Sequence, residues 1–445
     1  MQSELPWFKL EDVVEDIVDR RGVTPLKLGG DFTSMGHRVV SAKLVKGGRV
    51  QLDADEARFV DERLYRKWMR TPLRRGDVIM TSEAPLGEVA FLGEDVDWVL
   101  GQRLFAIRPQ AGRLHGRFLY YALQSDKVRA DILGRASGTT VQGIRQAELR
   151  LVQVPVPEFH KQVEISELLG VLDDRIDLLR EANITLESIA QALFKSWFVD
   201  FEPVRAKAED REPEGMDAAT AALFPAHFEE SALGLIPKGW SYRPAEQLFD
   251  VGIGKTPPRK EPQWFSEGDG DVRWLSIKDM GDEGAIASRS SEFLSHEAVS
   301  KFNVRIVPSR TVLVSFKLTV GRLSITDGPM CTNEAIAHFK ARGDSPPFTY
   351  LYCYLKAFDF RTLGSTSSIA DATNSKAVKA LPVLVPSREL VAAFHSAVNA
   401  LFERMYVQKV HWRTLEDLRG TLLPGLISGK LRLADAHSRL EEATA

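Results

Sequence analysis

Gly254-Lys255-Thr256 is the tripeptide in this chain that most invites a phosphate-cradling reading. A P-loop wraps phosphate in backbone N–H groups. That demands a second glycine five residues before Gly254 and a helix directly after the threonine. Phe249 occupies the first of those positions, and Pro257-Pro258 break most of the helix required at the second. No other catalytic set assembles. The nine histidines are scattered without H-E-x-x-H or any other ligand spacing, which leaves them structural or surface roles. Cys331 and Cys353 lack the C-x-x-C spacing of a zinc or redox site and read as reduced thiols. There is no G-x-S-x-G elbow for a nucleophilic serine. There is also no F-x-G-x-G loop, no N-P-P-[FY] or D-P-P-[FY] tetrapeptide, and no carboxylate–lysine cluster of the nuclease kind. The chain is expected to carry no metal, no cofactor and no catalytic site.

What remains is the chemistry of recognition, in polar loops that occur twice. Arg20-Arg21, Thr24 and Lys27 are matched by Lys255, Thr256, Arg259 and Lys260. Ser137-Gly138-Thr139-Thr140-Val141-Gln142-Gly143-Ile144-Arg145 is matched by the stretch 366–376, with Thr366, Ser367, Ser368, Asn374 and Lys376. A further cluster, Trp274-Leu275-Ser276-Ile277-Lys278-Asp279-Met280, finds no close counterpart in the first copy, as expected if the copies read different sequences. Lys317 adds a cation. Hydroxyls, amides, glycines and cations suit contact with a phosphate backbone. Gln142 and Asn374 suit adenine edges, and Arg and Lys suit guanine. Each loop alone is an ordinary solvated turn; recurrence at equivalent places argues for a shared task.

The elements that must position these loops repeat with them. Trp7 and then Gly22-Val23-Thr24-Pro25 answer to Trp240 and then Gly254-Lys255-Thr256-Pro257. Asp77-Val78-Ile79-Met80-Thr81-Ser82 lines up with Thr311-Val312-Leu313-Val314-Ser315-Phe316, and each run leads to a glycine, Gly87 or Gly321. These are β-rich runs ending in turn signals. The helical stretch 118–123 pairs with 350–355, and Val154-Pro155-Val156-Pro157 with Val383-Leu384-Val385-Pro386. A common order at an offset drifting between 229 and 234 residues marks a duplicated domain. Solenoid repeats are far shorter, about 20–50 residues.

After each V-x-V-P comes a long helical pattern. Ile165, Leu169, Leu172, Ile176, Leu179, Asn183, Leu186, Ala190 and Leu193 step by four and three, a heptad seam with one polar member. A buried Asn costs stability but can set register. Phe394, Val398, Leu401, Met405, Gln408, Trp412 and Leu415 repeat the pattern. A helix from Lys161 to Trp197 spans roughly 55 Å, more than one domain core needs, so the two helices are expected to pack on each other as an antiparallel rod. The expected boundaries are a first domain at 1–157, its helix at 158–200 and a connector at 201–234. A second domain at 235–386, its helix at 387–425 and a C-terminal tail at 426–445, expected to fray after Leu433, follow.

Bulk composition agrees. The chain has 445 residues, 44% hydrophobic and 27% charged, which is globular and too long for one core. A net charge of −3 excludes a polycation but not a local basic patch. The N-terminus lacks the basic start and apolar core of a signal peptide, and no stretch approaches the roughly 20 apolar residues of a membrane span. A cytoplasmic location is expected.

The pattern as a whole resembles the specificity subunits of type I restriction–modification systems. The resemblance rests on Gly254-Lys255-Thr256-Pro257-Pro258-Arg259-Lys260, the 274–280 cluster, Gly101-Gln102-Arg103-Leu104-Phe105-Ala106-Ile107 and Leu193-Phe194-Lys195-Ser196-Trp197-Phe198-Val199-Asp200-Phe201. It also rests on Gly234-Leu235-Ile236-Pro237-Lys238-Gly239-Trp240 and Leu426-Ile427-Ser428-Gly429-Lys430-Leu431-Arg432. It covers nearly the whole chain. It implies an α+β fold of two α/β target-recognition domains in tandem, separated by two long antiparallel helices forming a coiled-coil rod. Each domain would read half of a split site in double-stranded DNA, with the rod setting the spacer. It implies two modification subunits that bind S-adenosylmethionine and methylate adenine. Restriction subunits can join and bring ATP and magnesium. One departure concerns the partner contact: the Glu-Gln pair common at the helix start is only partly kept in Phe159-His160-Lys161-Gln162 and Ser387-Arg388-Glu389-Leu390. The alternatives are a coiled-coil scaffold without DNA readout and an unrecognised nuclease.

Overall fold

The computed structural model describes residues 5–52, 57–268, 270–364 and 373–444. The chain divides into two compact units, residues 1–177 with 412–445, and residues 178–411. The fold is α+β, with each α/β domain of the repeat sharing its unit with a stretch of both long helices.

Short apolar runs closed by turn residues become strands, as their period demands. In the first unit Val14–Asp19, Leu104–Pro109, Val78–Thr81 and Val89–Phe91 form an antiparallel sheet in that order. In the second, Phe249–Ile253, Ile336–Ala341, Val312–Ser315 and Leu323–Thr326 repeat the order, and Ile286–Ala287 adds a parallel edge strand. Paired strands flank the sheets equivalently: Trp7–Lys9 with Gln153–Pro155, and Ser241–Pro244 with Pro382–Val385.

A smaller sheet accompanies each large one. His37–Val40 lies between Phe59–Val60, antiparallel, and Val99–Leu100, parallel. Val272–Leu275 lies between Glu292–Leu294, antiparallel, and Cys331–Thr332, parallel. This corrects one sequence expectation. The 274–280 cluster does have a counterpart, because Val40 pairs with Leu100 as Leu275 pairs with Thr332. Arg38-Val39-Val40-Ser41-Ala42-Lys43-Leu44 therefore answers to Arg273 through Asp279. The two diverge for a local reason. Ser276 and Asp279 form a reciprocal capping box that starts the helix Ile277–Glu283. Leu44 stands where Asp279 does and Ser41 makes no capping bond, so only the tighter turn Ala42–Leu44 forms.

The long helices are Phe159–Phe198 and Arg388–Ile427, 40 residues each. In the first unit Leu169, Leu172 and Ile176 are buried, as are Leu415 and Leu422. Asp173 on the first helix accepts hydrogen bonds from Arg419 on the second at 2.6 Å and from the Tyr121 hydroxyl at 2.7 Å. In the second unit Phe194, Trp197 and Phe198 form one aromatic face, with ring centroids 5.6, 5.9 and 5.3 Å from Phe394. The amide of Asn183 reaches the Met405 carbonyl at 3.4 Å, so the helices are antiparallel there. Leu179, Val398, Met405 and Gln408 are buried, while Leu186, Leu401 and Trp412 are half-buried. Phe402 is fully buried beside Leu401 and takes the inner position.

Two segments differ from the sequence reading. Residues 201–234 hold the helices Glu202–Ala208 and Ala218–Ala222 and part of the hairpin Phe228–Ser231/Gly234–Pro237. They are packed because Val204 and Phe224 are buried, the latter 5.3 Å from Trp197. The tail expected to fray forms a helix, Leu433–Thr444, seated by the fully buried Ala436. No helix among the described residues is long and apolar enough to cross a membrane.

The first domain carries a buried ion pair. Arg108 donates to both carboxylate oxygens of Asp77 at 2.8 and 2.7 Å, and to the Pro72 carbonyl. Both side chains are almost fully enclosed. Removing one partner strands the other charge. Asp77→Ala is therefore expected to destabilise the first unit by about 3–5 kcal/mol, read as a lowered calorimetric melting transition.

Candidate nucleic-acid interface

The antiparallel order brings three loops to one end of each large sheet. In the first domain these are the loop after Val14–Asp19, the hairpin after Val78–Thr81 and the segment leading into Gln146–Arg150. In the second they are the loop after Phe249–Ile253, the hairpin after Val312–Ser315 and the segment leading into Ser375–Lys379. Arg21, Thr24, Lys27 and the stretch 137–145 lie in these loops of the first domain, and Lys255, Thr256, Arg259, Lys260, Lys317, Asn374 and Lys376 in or beside those of the second.

Backbone bonds join the loops. The Ser82 N–H donates to the Arg103 carbonyl, and the Ser82 carbonyl accepts from Ile144 at 2.9 Å. Phe316 does the same with Ala335 and Thr373. A hydroxyl clasps each hairpin. Thr81 Oγ1 donates to the Pro85 carbonyl at 2.6 Å and accepts from the Glu88 N–H at 2.9 Å. Ser315 Oγ donates to the Thr319 carbonyl and accepts from the Arg322 N–H at 3.0 Å.

The first loop of each domain is held by a side chain that sequence reasoning passed over. Gln102 accepts from the Gly22 N–H at 2.8 Å and donates to the Val23 carbonyl at 2.5 Å. Glu334, at the equivalent position, accepts from the Thr256 hydroxyl. The glycines of the two G-x-T-P motifs serve different needs. Gly22 sits at φ +80°, which glycine alone adopts freely. A Cβ on Gly254 would lie 2.1 Å from the Asn333 carbonyl oxygen, so close packing excludes any side chain there.

The basic residues divide into tethered and exposed groups. Arg21 is bidentate to Asp19 at 2.9 and 2.7 Å, donates to the Ile144 carbonyl and lies 4.2 Å from the Phe105 ring centroid. Arg259 is bidentate to Glu292 at 2.6 and 2.9 Å and lies over Phe265 and Trp274. Hydrogen bonding to Glu292 raises the Arg259 guanidinium above its ordinary range. Lys27 donates to the Gly22 carbonyl at 2.7 Å and Lys255 to that of Phe302 at 2.6 Å. Thr24 accepts from the Lys27 N–H. Lys260, Lys278, Lys317, Arg145 and Lys376 are exposed.

Ser137 and Gly143 exchange backbone hydrogen bonds, so residues 138–142 form an exposed turn carrying Gly138, Thr139, Thr140 and Gln142. Ser276 is occupied as a helix cap, and Asn374 likewise accepts from the Ala377 N–H at 2.8 Å. Thr366, Ser367 and Ser368 lie outside the described residues. Sequence reasoning also missed Glu83 and Arg103, joined at 3.1 Å. With Asp19, Arg21, Gln102 and Gln146 they line a cleft of about 540 Å³ in the first domain. Only spatial pairing reveals them, since each lies outside the matched polar loops. His338, by contrast, is core: burial pushes its imidazole down to about 3, and it meets Thr332 Oγ1 at 2.5 Å.

A family model for the type I restriction modification DNA specificity domain matches residues 66–188 and 237–424, more than half of the chain. The chain belongs to this family. It is similar to the specificity subunit of the type I restriction enzyme HindI from Haemophilus influenzae, 26% identical over 405 residues, covering 81% of this chain and 87% of that protein. It is also similar to the MjaIX specificity subunit from Methanocaldococcus jannaschii, 24% identical over 384 residues, covering 81% and 79%. The crystal structure of a type I restriction–modification S subunit from M. genitalium shares the fold, with a TM-score of 0.50 and 14% identity, over 96% of this chain and 97% of that one.

Gln102→Ala removes both bonds that pin the first loop. The Gly22 amide is expected to exchange with solvent about three- to tenfold faster, measured by hydrogen–deuterium exchange with amides of Leu104–Pro109 as the internal control.

Proposed function

We propose that this chain reads a bipartite DNA site, one half per domain, and directs partner subunits to it without carrying a catalytic site of its own. The observation that carries this reading is the repeated sheet end. Two copies of one hydrogen-bonded frame present different polar side chains at equivalent places, as two readers of different half-sites would. Exposed lysines position the phosphate backbone, and amides and cations address base edges in the major groove. Two modification subunits bind S-adenosylmethionine and methylate adenine; the base must leave the stack for that chemistry. Restriction subunits, where present, bring ATP and magnesium. No cofactor is assigned to this chain.

The test is sequencing of N6-methyladenine in cells expressing the chain with its modification subunit, against cells lacking this chain. A new methylated motif in two parts with a fixed gap is expected. Absence of any motif from an assembled complex would overturn the proposal. Lys376, exposed on the first turn of Ser375–Lys379, is assigned to phosphate. Lys376→Ala should weaken binding to all sequences alike and reduce the slope of log affinity against log salt by about 1. An unchanged slope in a salt titration would remove that role.

A further inference from the structure

The hairpin tips are built to a common plan but carry unlike side chains. In the second domain the Thr319 N–H donates to the Lys317 carbonyl at 2.7 Å across Leu318, whose φ is +64°. This is the left-handed γ-turn, rare and strained for any residue but glycine. Leu318 is nevertheless 73% exposed. In the first domain the equivalent Ala84 also has positive φ, +50°, and is exposed. The Thr81 and Ser315 hydroxyls clasp both tips in the same way, and Gly87 and Gly321 close them with N–H bonds to the Thr81 and Ser315 carbonyls. The frame is kept between copies, while Glu83-Ala84-Pro85 has become Lys317-Leu318-Thr319. A lone exposed leucine is unremarkable. A leucine held in a strained turn, on a frame kept where the sequence around it changed, calls for a contact outside the chain.

We propose that Leu318 is a specificity-determining residue of the second domain, placing its side chain against the 5-methyl group of a thymine in the major groove. The inference rests on the DNA-reading function proposed above. The tip is joined through Phe316 to Thr373 and the helix carrying Lys376, so it belongs to the same sheet end as the exposed cations. Apolar contact is how proteins distinguish the thymine methyl, the one apolar group on the major-groove edges. Lys317, exposed beside it, supplies charge for approach to the phosphates.

Thymine and uracil differ by that methyl alone, which gives a direct test. The assembled complex is titrated against its own motif with deoxyuridine replacing thymine, one position at a time, in the half-site that the second domain reads. Wild type should lose about fourfold in affinity at one position, the worth of one buried methyl. Leu318→Gly should bind both versions equally there. Glycine adopts φ +64° without strain, so this variant keeps the fold. Methylation by Leu318→Gly in cells should relax at that position only, with the other half-site and the gap unchanged. A wild-type complex indifferent to uracil throughout the half-site would overturn the proposal, as would a variant that keeps the wild-type ratio. So would loss of all methylation without relaxation, which would assign the tip to affinity. Failure of the wild type to give any bipartite motif would instead strike the underlying function.

Discussion

The backbone N–H and carbonyl of one residue, Phe316 in the second domain and Ser82 in the first, hold this loop-bearing end of each large sheet together. That residue is the first past the strand, where the ladder stops and its N–H and carbonyl would be left without partners. Buried backbone groups must be paired. Here the N–H goes to the segment entering the next strand, and the carbonyl to the segment entering the short helix. Loops far apart in sequence are thereby fixed side by side. Backbone bonds ask little of side-chain identity, so the loops can change their chemistry without losing their places.

That freedom has been used differently in the two domains. Asp77 and Arg108 form a buried ion pair in the first, while the second has Thr311 and the exposed Lys340 at the equivalent positions. The Thr311 hydroxyl instead donates to the Pro308 carbonyl at 2.8 Å. The arginines of the two basic loops are tied to carboxylates, Arg21 to Asp19 and Arg259 to Glu292. Their bidentate, ring-stacked geometry shapes the loops. The exposed cations singled out beside them, Lys260, Lys278, Lys317 and Lys376 with Arg145, are mostly lysines.

The duplication, the strand runs and the long helices were legible because each rests on periodicity or on order along the chain. Three things were not. The counterpart of the 274–280 cluster was hidden because Trp274, Ile277 and Asp279 are Val39, Ala42 and Leu44 in the first copy. Only strand pairing reveals the match. The roles of Gln102 and Glu334 were hidden because their partners lie about eighty residues away. The positive φ of Leu318 was hidden because leucine gives no signal for it, as glycine would. Conversely, Arg21, Arg259, Ser276 and Asn374 looked like free polar groups in sequence, and the structure shows what each already bonds to.

The start of the long helices shows how far sequence departure and structural departure can differ. Gln162 is fully buried. It accepts from the His115 N–H at 2.9 Å and donates to the carbonyls of Arg113 and Pro157. Its side chain serves its own domain, so it is no part of an exposed contact surface. Counting from the prolines that precede the helices, its equivalent is Val391, also buried, so a polar latch has become an apolar one. One turn further on, the copies agree again with the roles reversed. Ser166 on the helix meets His115 of the domain at 2.9 Å, and His395 on the helix meets Thr349 of the domain at 2.9 Å. Burial lowers both imidazoles from their ordinary range. A hydroxyl and an imidazole can join from either side. What the duplication kept is a hydroxyl–imidazole bond at the same turn of the long helix, made to a different position of the domain in each copy.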